Sequence, residues 1–242
     1  MMRAKGNNDM RAGFKMGLPI GLGYLSVSFT FGMLAVSRGV PTLGSLLISM
    51  TNVTSAGQVA GLFVMAAGGS LMELALCQLV INLRYALMSL TISQRLAENM
   101  TLGDKLFVAF GMTDEIFAVM ASRPEPVTRG FFAGLLALPY LGWSGGTLLG
   151  AVFGSVMPAD LAGILGIALY GMFLAIIVPP AKKSRSVLAA VVIAGALSCI
   201  LYFVPFFSCI SSGISVIICA VIASAVCAFL FPLSKESHSE EP

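Results

Sequence analysis

Leu79-Val80-Ile81-Asn82-Leu83-Arg84-Tyr85-Ala86-Leu87 sets an amide and a guanidinium in the middle of a long apolar run, and Thr113-Asp114-Glu115 does the same with two carboxylates. An ionisable side chain near the bilayer centre costs about 2.5–3.5 kcal/mol, so such residues mark functional pathways. The surrounding composition makes the bilayer the setting. Hydrophobic residues are 57% of the chain and charged ones only 10%, against roughly 25% charged in soluble domains. The expectation is an all-α polytopic membrane bundle, a single transmembrane domain over 1–242.

Apolar runs place spans near 14–37, 43–67, 70–94, 104–121, 130–156, 160–179, 187–206 and 212–232. The polar lead 1–12 and tail 234–242 flank them. The first run is too long for a cleaved signal and lacks a small-residue cleavage site, so it is read as an anchor. The fourth run is short and interrupted by Asp114 and Glu115, which leaves seven spans plus a re-entrant segment as the alternative. Eight crossings put ten Lys and Arg on the N-terminal side (Arg3, Lys5, Arg11, Lys15, Arg123, Arg129, Lys182, Lys183, Arg185, Lys235) and three outside (Arg38, Arg95, Lys105). That bias favours about eight crossings, with both termini cytoplasmic.

The net charge of +3 is explained by these loops and implies no nucleic-acid partner. Cys77, Cys199, Cys209, Cys219 and Cys227 lie in or beside apolar runs without metal-ligand spacing and read as small hydrophobes. No metal or cofactor is expected.

Two stretches resemble each other. Gly13, Gly17, Pro19, Gly32 and Pro41 match Gly130, Gly134, Pro139, Gly150 and Pro158, with 28 residues from first to last in each. Duplicated halves are a habit of secondary transporters, whose substrate site lies at the repeat interface. Gly142, Gly146, Gly150 and Gly154 form one smooth helical face, as do Gly13, Gly17 and Gly21. Small residues at this spacing let helices approach closely in lipid.

Thr51-Asn52-Val53-Thr54-Ser55-Ala56-Gly57-Gln58 is polar enough to break the second span and restart it near Thr54 or Ser55. Broken helices at membrane depth are tolerated where they are buried or line a cavity. A new helix N-terminus points amide donors at an anion such as an amino-acid carboxylate. Thr54, Ser55, Ala56, Gly57, Gln58 and Asn82 are therefore the candidate substrate residues.

On the third span, at 100° per residue, Gln78 and Asn82 share one face, while Glu73 and Arg84 lie within about 20° of each other nearly opposite. Those two are 11 residues apart, or about 16 Å, too far to pair directly. Arg84 thus needs an acid from another helix. Asp114 and Glu115 point about 100° apart, so at most one should face it. Arg84, Asp114, Glu115 and Glu73 form the candidate charge network. Asp114 and Glu115 also suit the first turn of a helix capped by Thr113.

Gly142-Trp143-Ser144-Gly145-Gly146 fits the Gly-x-Ser-x-Gly nucleophile pattern. A serine nucleophile needs a base within reach, and the only histidine, His238, lies in the tail. No HExxH, Walker A or Gly-x-Gly-x-x-Gly pattern occurs. The chain is not expected to be an enzyme or an ATP-driven pump.

Thr54-Ser55-Ala56-Gly57-Gln58, Asn82-Leu83-Arg84-Tyr85 and Thr113-Asp114-Glu115-Ile116-Phe117, in that order and spacing, resemble the AzlC family, the large subunit of bacterial branched-chain amino acid exporters. The resemblance runs from about Gly13 to Phe231 and weakens in the last two spans. It implies an inner-membrane exporter of leucine, isoleucine, valine and similar substrates, with methionine or analogues among them. It also implies a small AzlD-type membrane subunit as partner. Asp114 and Glu115 make a proton the expected coupling ion. The rival reading is a non-transporting scaffold or regulatory subunit whose charges only hold helices together.

Overall fold

The computed structural model describes residues 2–156, 171, 174, 177–207 and 210–231. The chain forms α1 (Met2–Ser37), α2 (Thr42–Thr51), α3 (Ser55–Ala66), α4 (Leu71–Ser93), α5 (Leu102–Phe110), α6 (Asp114–Ser122) and α7 (Arg129–Val156). After these come α8 (Arg185–Phe203), a 3-10 turn at Pro205–Phe207, and α9 (Ser212–Leu230). Among the described residues α1, α4, α7, α8 and α9 are long and apolar enough to cross a membrane, so the expected all-α membrane bundle is the observed one. Most of the expected span 160–179 lies outside the described residues, as do Cys209, Lys235 and the tail 234–242. The polar lead is continuous with the first helix.

The second and fourth apolar segments are both broken, and both turn back. Asn52 and Thr54 adopt extended backbone between α2 and α3, where the Thr54 hydroxyl donates to Asn52 Oδ1 (3.0 Å). Short polar side chains that hydrogen-bond locally compete with the helix ladder. Gly111 ends α5, and Thr113 caps α6 by accepting from the Ile116 amide (3.4 Å). Each arm has 9 to 12 residues. At 1.5 Å per residue that is about 15 Å, half of a roughly 30 Å hydrocarbon core. No single arm can cross.

Contacts at the ends fix the direction of each hairpin. The Arg38 guanidinium, just beyond α1, lies 5.0 Å above the Phe63 ring near the end of α3. The α2–α3 hairpin therefore enters and leaves on the face where α1 ends. For α5–α6 the ends meet on the other face. Arg95, after α4, donates to the carbonyls of Ala121 (3.0 Å) and Arg123 (3.3 Å). Leu96 bridges Val127, and Arg129 at the start of α7 lies 3.3 Å from Asp104 at the start of α5. Asp9 of α1 joins them, 2.6 Å from Arg123 and hydrogen-bonded to Thr128. This is the N-terminal face.

The expected count of about eight crossings is corrected accordingly. Because two segments turn back rather than one, the sidedness of everything downstream is preserved. Glu73 at the start of α4 accepts from the Ser211 hydroxyl (2.6 Å) and the Gly213 amide (3.0 Å), which sets the start of α9 on the opposite face. Cys227 of α9 donates to the Ser186 carbonyl, which returns the start of α8, with Lys182, Lys183 and Arg185 close by, to the N-terminal face. Arg95 and Lys105, expected outside, also move to the N-terminal face. Among the described cations Arg38 alone remains opposite and Arg84 sits at mid-depth, so the charge bias is steeper than the eight-span reading made it. In a cysteine-free background, Lys105→Cys is expected to react with a membrane-impermeant maleimide from the same side as Arg123→Cys. Arg38→Cys should react only from the other side. Labelling of positions 105 and 38 from one side would rule out the paired hairpins.

The two hairpins give the chain an inverted duplication. A long helix followed by a hairpin on the face where it ends occurs first as α1 with α2–α3, then upside down as α4 with α5–α6. The glycine-based repeat pairs instead α1 with α7, which run parallel and pack along their whole length. A Cβ on Gly21 would meet the Leu138 carbonyl carbon at 2.8 Å, and one on Gly32 the Ala151 amide nitrogen at 2.7 Å. Both glycine faces are consumed in this one seam, where Ser28 also donates to the Gly142 carbonyl (3.2 Å). Against the seam, Phe31, Ala35, Val59 and Leu62 pack beside α3, and Val108, Ile116, Met120, Phe131 and Phe132 pack beside α5 and α6.

Candidate functional site

The tips of the two hairpins meet at mid-depth beside α1 and α7. Val53, from the first tip, packs with Tyr24 of α1 and Trp143 of α7, whose rings meet edge-on at 5.1 Å. The Tyr24 hydroxyl donates to Glu115 and lies 2.7 Å from Thr113 Oγ1 at the second tip. Two helices, α3 and α6, thus begin at the same depth with their N-termini directed inward. Their ends differ. Thr113 caps α6, whereas the Thr54 side chain makes no capping bond to α3. The first amides of α3 have no intrahelical partner.

Between the tips lies a cavity of about 690 Å³. Ile20, Val27, Val53 and Trp143 supply apolar wall, while Ser55, Arg84, Asp114 and Glu115 supply polar groups. Pro19, Gly23 and Ser26 of α1 line it with their exposed side, so the mouth opens sideways.

Arg84 pairs with Asp114 at 2.6 Å. Its guanidinium also sits 5.0 Å above the Tyr85 ring and donates to that hydroxyl at 3.2 Å. Glu115 bonds Tyr24 instead. Asn82 points the other way, donating to Gln78 Oε1 (3.0 Å), while Gln78 donates to the Gly57 carbonyl (2.7 Å) and accepts from Asn52 (3.1 Å). This amide chain ties α4 to the first hairpin.

The structure therefore divides the sequence-predicted residues. Ser55, Arg84, Asp114 and Glu115 share the cavity. Thr54 shapes the tip, Ala56 is exposed outside the lining, and Gly57 admits α4, since a Cβ there would meet Gln78 Oε1 at 2.9 Å. Gln58 is buried and accepts from Ser49 (3.1 Å), which in turn lies 2.7 Å from Thr147. Asn82 joins the amide chain. Glu73 caps α9 at the opposite face, out of reach of Arg84. Sequence reasoning missed Tyr24 as the link between α1 and the second tip, and Trp143 as wall. The chain's one tryptophan, set among glycines, was the available signal.

The description "AzlC protein" matches residues 19–157, a stretch holding both hairpins, α4, all of α7 and every residue of the cavity. The chain belongs to the AzlC family. A membrane protein of Archaeoglobus fulgidus is 33% identical to this AzlC-family chain, covering 75% of it and 80% of the relative. The inner membrane protein YgaZ of Escherichia coli is 27% identical over 93% of this chain and 94% of its own length. The branched-chain amino acid transport protein AzlC of Bacillus subtilis is also 27% identical, over 72% and 69%. No solved structure matches the chain.

Proposed function

We propose that this chain is a secondary transporter that exports leucine, isoleucine and valine, with methionine or analogues, from the cytoplasm across the bacterial inner membrane. The observation that carries this reading is the mid-depth cavity. It lies within the roughly 300–1,000 Å³ range of small-molecule sites, offers apolar wall to a branched side chain, and sets charged groups and an open helix N-terminus beside it. An α-amino acid with an apolar side chain has that same division. Membership of a family that includes a branched-chain amino acid transport protein supports the substrate class.

Positive-inside bias makes the N-terminal face cytoplasmic, and both termini with it. The proton is the coupling ion, motivated by two carboxylic acids against one cation in the lining. The partner is a small AzlD-type membrane subunit. No enzymatic chemistry and no nucleic acid enter the reading.

The test is export from proteoliposomes loaded with labelled leucine, with and without the small subunit, under an imposed pH gradient. Efflux driven by the gradient is expected. It should be lost when Asp114→Asn and Glu115→Gln are combined, and wild-type rates from that double variant at every pH would end the proton reading. A scaffold would move no leucine in any arm.

A further inference from the structure

The apolar wall of the cavity has a notch in it, at Gly23. That wall is one packed cluster, Tyr24, Val53 and Trp143 with Ile20 and Val27 against them, and all of these line the cavity. At 100° per residue, Val27, Ile20 and Tyr24 lie about 40°, 60° and 100° to one side of Gly23 around α1, and Pro19 and Ser26 about 40° and 60° to the other. Each of them lines the cavity too. Gly23 therefore sits near the middle of the arc that α1 turns to the cavity, with buried Tyr24 on one flank and exposed Pro19 and Ser26 on the other. Neither backbone nor packing calls for a glycine there. Its φ is not positive. Gly13, Gly17, Gly21 and Gly32 of the same helix would each drive a Cβ into the backbone of α7, whereas nothing among the described residues lies within 4 Å of a Cβ at Gly23. Glycine inside a helix is less stable than alanine. What it provides at position 23 is room, and that room belongs to the cavity.

We infer, on the footing that the cavity is an amino-acid site, that position 23 sets the size of side chain it accepts. The branched end of the ligand lies over Gly23, between Ile20 and Val27, and its charged head lies among the polar groups that α4 and α6 contribute. An apolar side chain on residue 23 would occupy the space that the ligand's own side chain needs. It should therefore exclude long substrates before short ones. Gly23 stands apart from the Arg84–Asp114 pair, so a change there leaves the charges of the lining as they are.

Titration calorimetry of the purified protein with L-leucine and L-2-aminobutyrate tests this, since the two share a head group and differ only in side-chain length and branching. Wild type should bind leucine about tenfold more tightly, the scale of two further buried carbons. Gly23→Ala should compress that ratio. Gly23→Leu should bring it to about one or below, through lost leucine affinity, while 2-aminobutyrate stays within about threefold of its wild-type value. Ratios are taken within one variant, so a lower yield of folded protein does not alter them. Thermal midpoints without ligand should not fall, because a Cβ at position 23 meets no neighbour among the described residues. Gly145→Ala is the matched control: Gly145 is equally open but outside the cavity lining, and the ratio should stay at the wild-type value. If Gly23→Leu keeps the wild-type ratio or weakens both ligands equally, or if Gly145→Ala shifts it as much as Gly23→Ala, the size assignment is wrong although the amino-acid reading stands. If wild type binds neither ligand, the amino-acid reading falls and takes this assignment with it.

Discussion

Gly150→Leu is expected to leave almost no folded protein in the membrane. A Cβ at position 150 would fall on the backbone of Phe29, 2.9 Å from its Cα, and backbone cannot swing aside as a side chain can. The two helices must separate, and the seam they share is the most extensive helix contact among the described residues. Overpacking a rigid core costs about 1–3 kcal/mol even where side chains can adjust, and a leucine here also removes the close approach on which helix association in lipid depends. The control lies five residues back. Nothing lies within 4 Å of a Cβ at Gly145, so Gly145→Ala should be neutral or gain up to about 1 kcal/mol from helix propensity. Fluorescence-detected size exclusion of tagged variants after a heat step separates these outcomes. A Gly150→Leu variant as monodisperse as wild type would mean that the seam is not built as described.

Arg84→Met is expected to be more damaging than the double change Arg84→Met with Asp114→Asn. The single variant leaves a carboxylate at mid-depth without its guanidinium, at a cost below the roughly 3 kcal/mol of an uncompensated charge at the bilayer centre, because the Asp114 side chain is 42% exposed to the cavity side. The double variant removes both charges and keeps similar volume, and replacing a whole pair is far gentler than breaking one. Thermal midpoints should therefore order as wild type, then double, then single. On the proposed transport reading, export should fail in both variants, because Arg84 and Asp114 both line the cavity. A single variant as stable as the double would show that Asp114 draws nothing from Arg84.

These effects were legible in the sequence to different depths. Helical angles alone required Arg84 to find one acid on another element and Asn82 to face elsewhere, because a helix fixes direction once its register is known. The break between Thr51 and Gln58 was legible for a related reason: short polar side chains and glycine compete with a helix, and there the Thr54 hydroxyl bonds the Asn52 side chain, which no apolar residue could do. The return of the chain at each break was not legible. Hydrophobicity records how much apolar surface a segment has, not which way its second half runs, and 43–67 is as long as a genuine crossing. Loop charge misplaced Arg95 and Lys105 because two reversals cancel beyond 123 and are visible only between them. Tyr24 and Trp143 went unnoticed as site residues because an aromatic in an apolar run reads as packing until its partner from another element is known.

The meeting of the two hairpin tips at mid-depth has an electrical consequence. Protein packs each hairpin against its own face, so the membrane voltage is divided at the level of Glu115 rather than dropped across one uninterrupted barrier. A cation reaching that carboxylate from either face has traversed about half of the field. With roughly 2.3 kcal/mol per elementary charge per 100 mV across the whole membrane, occupancy of Glu115 is worth about 1.2 kcal/mol per 100 mV. On the proposed transport reading, the resting potential alone then changes how readily that site fills from one face and empties to the other, with no gradient of protons at all.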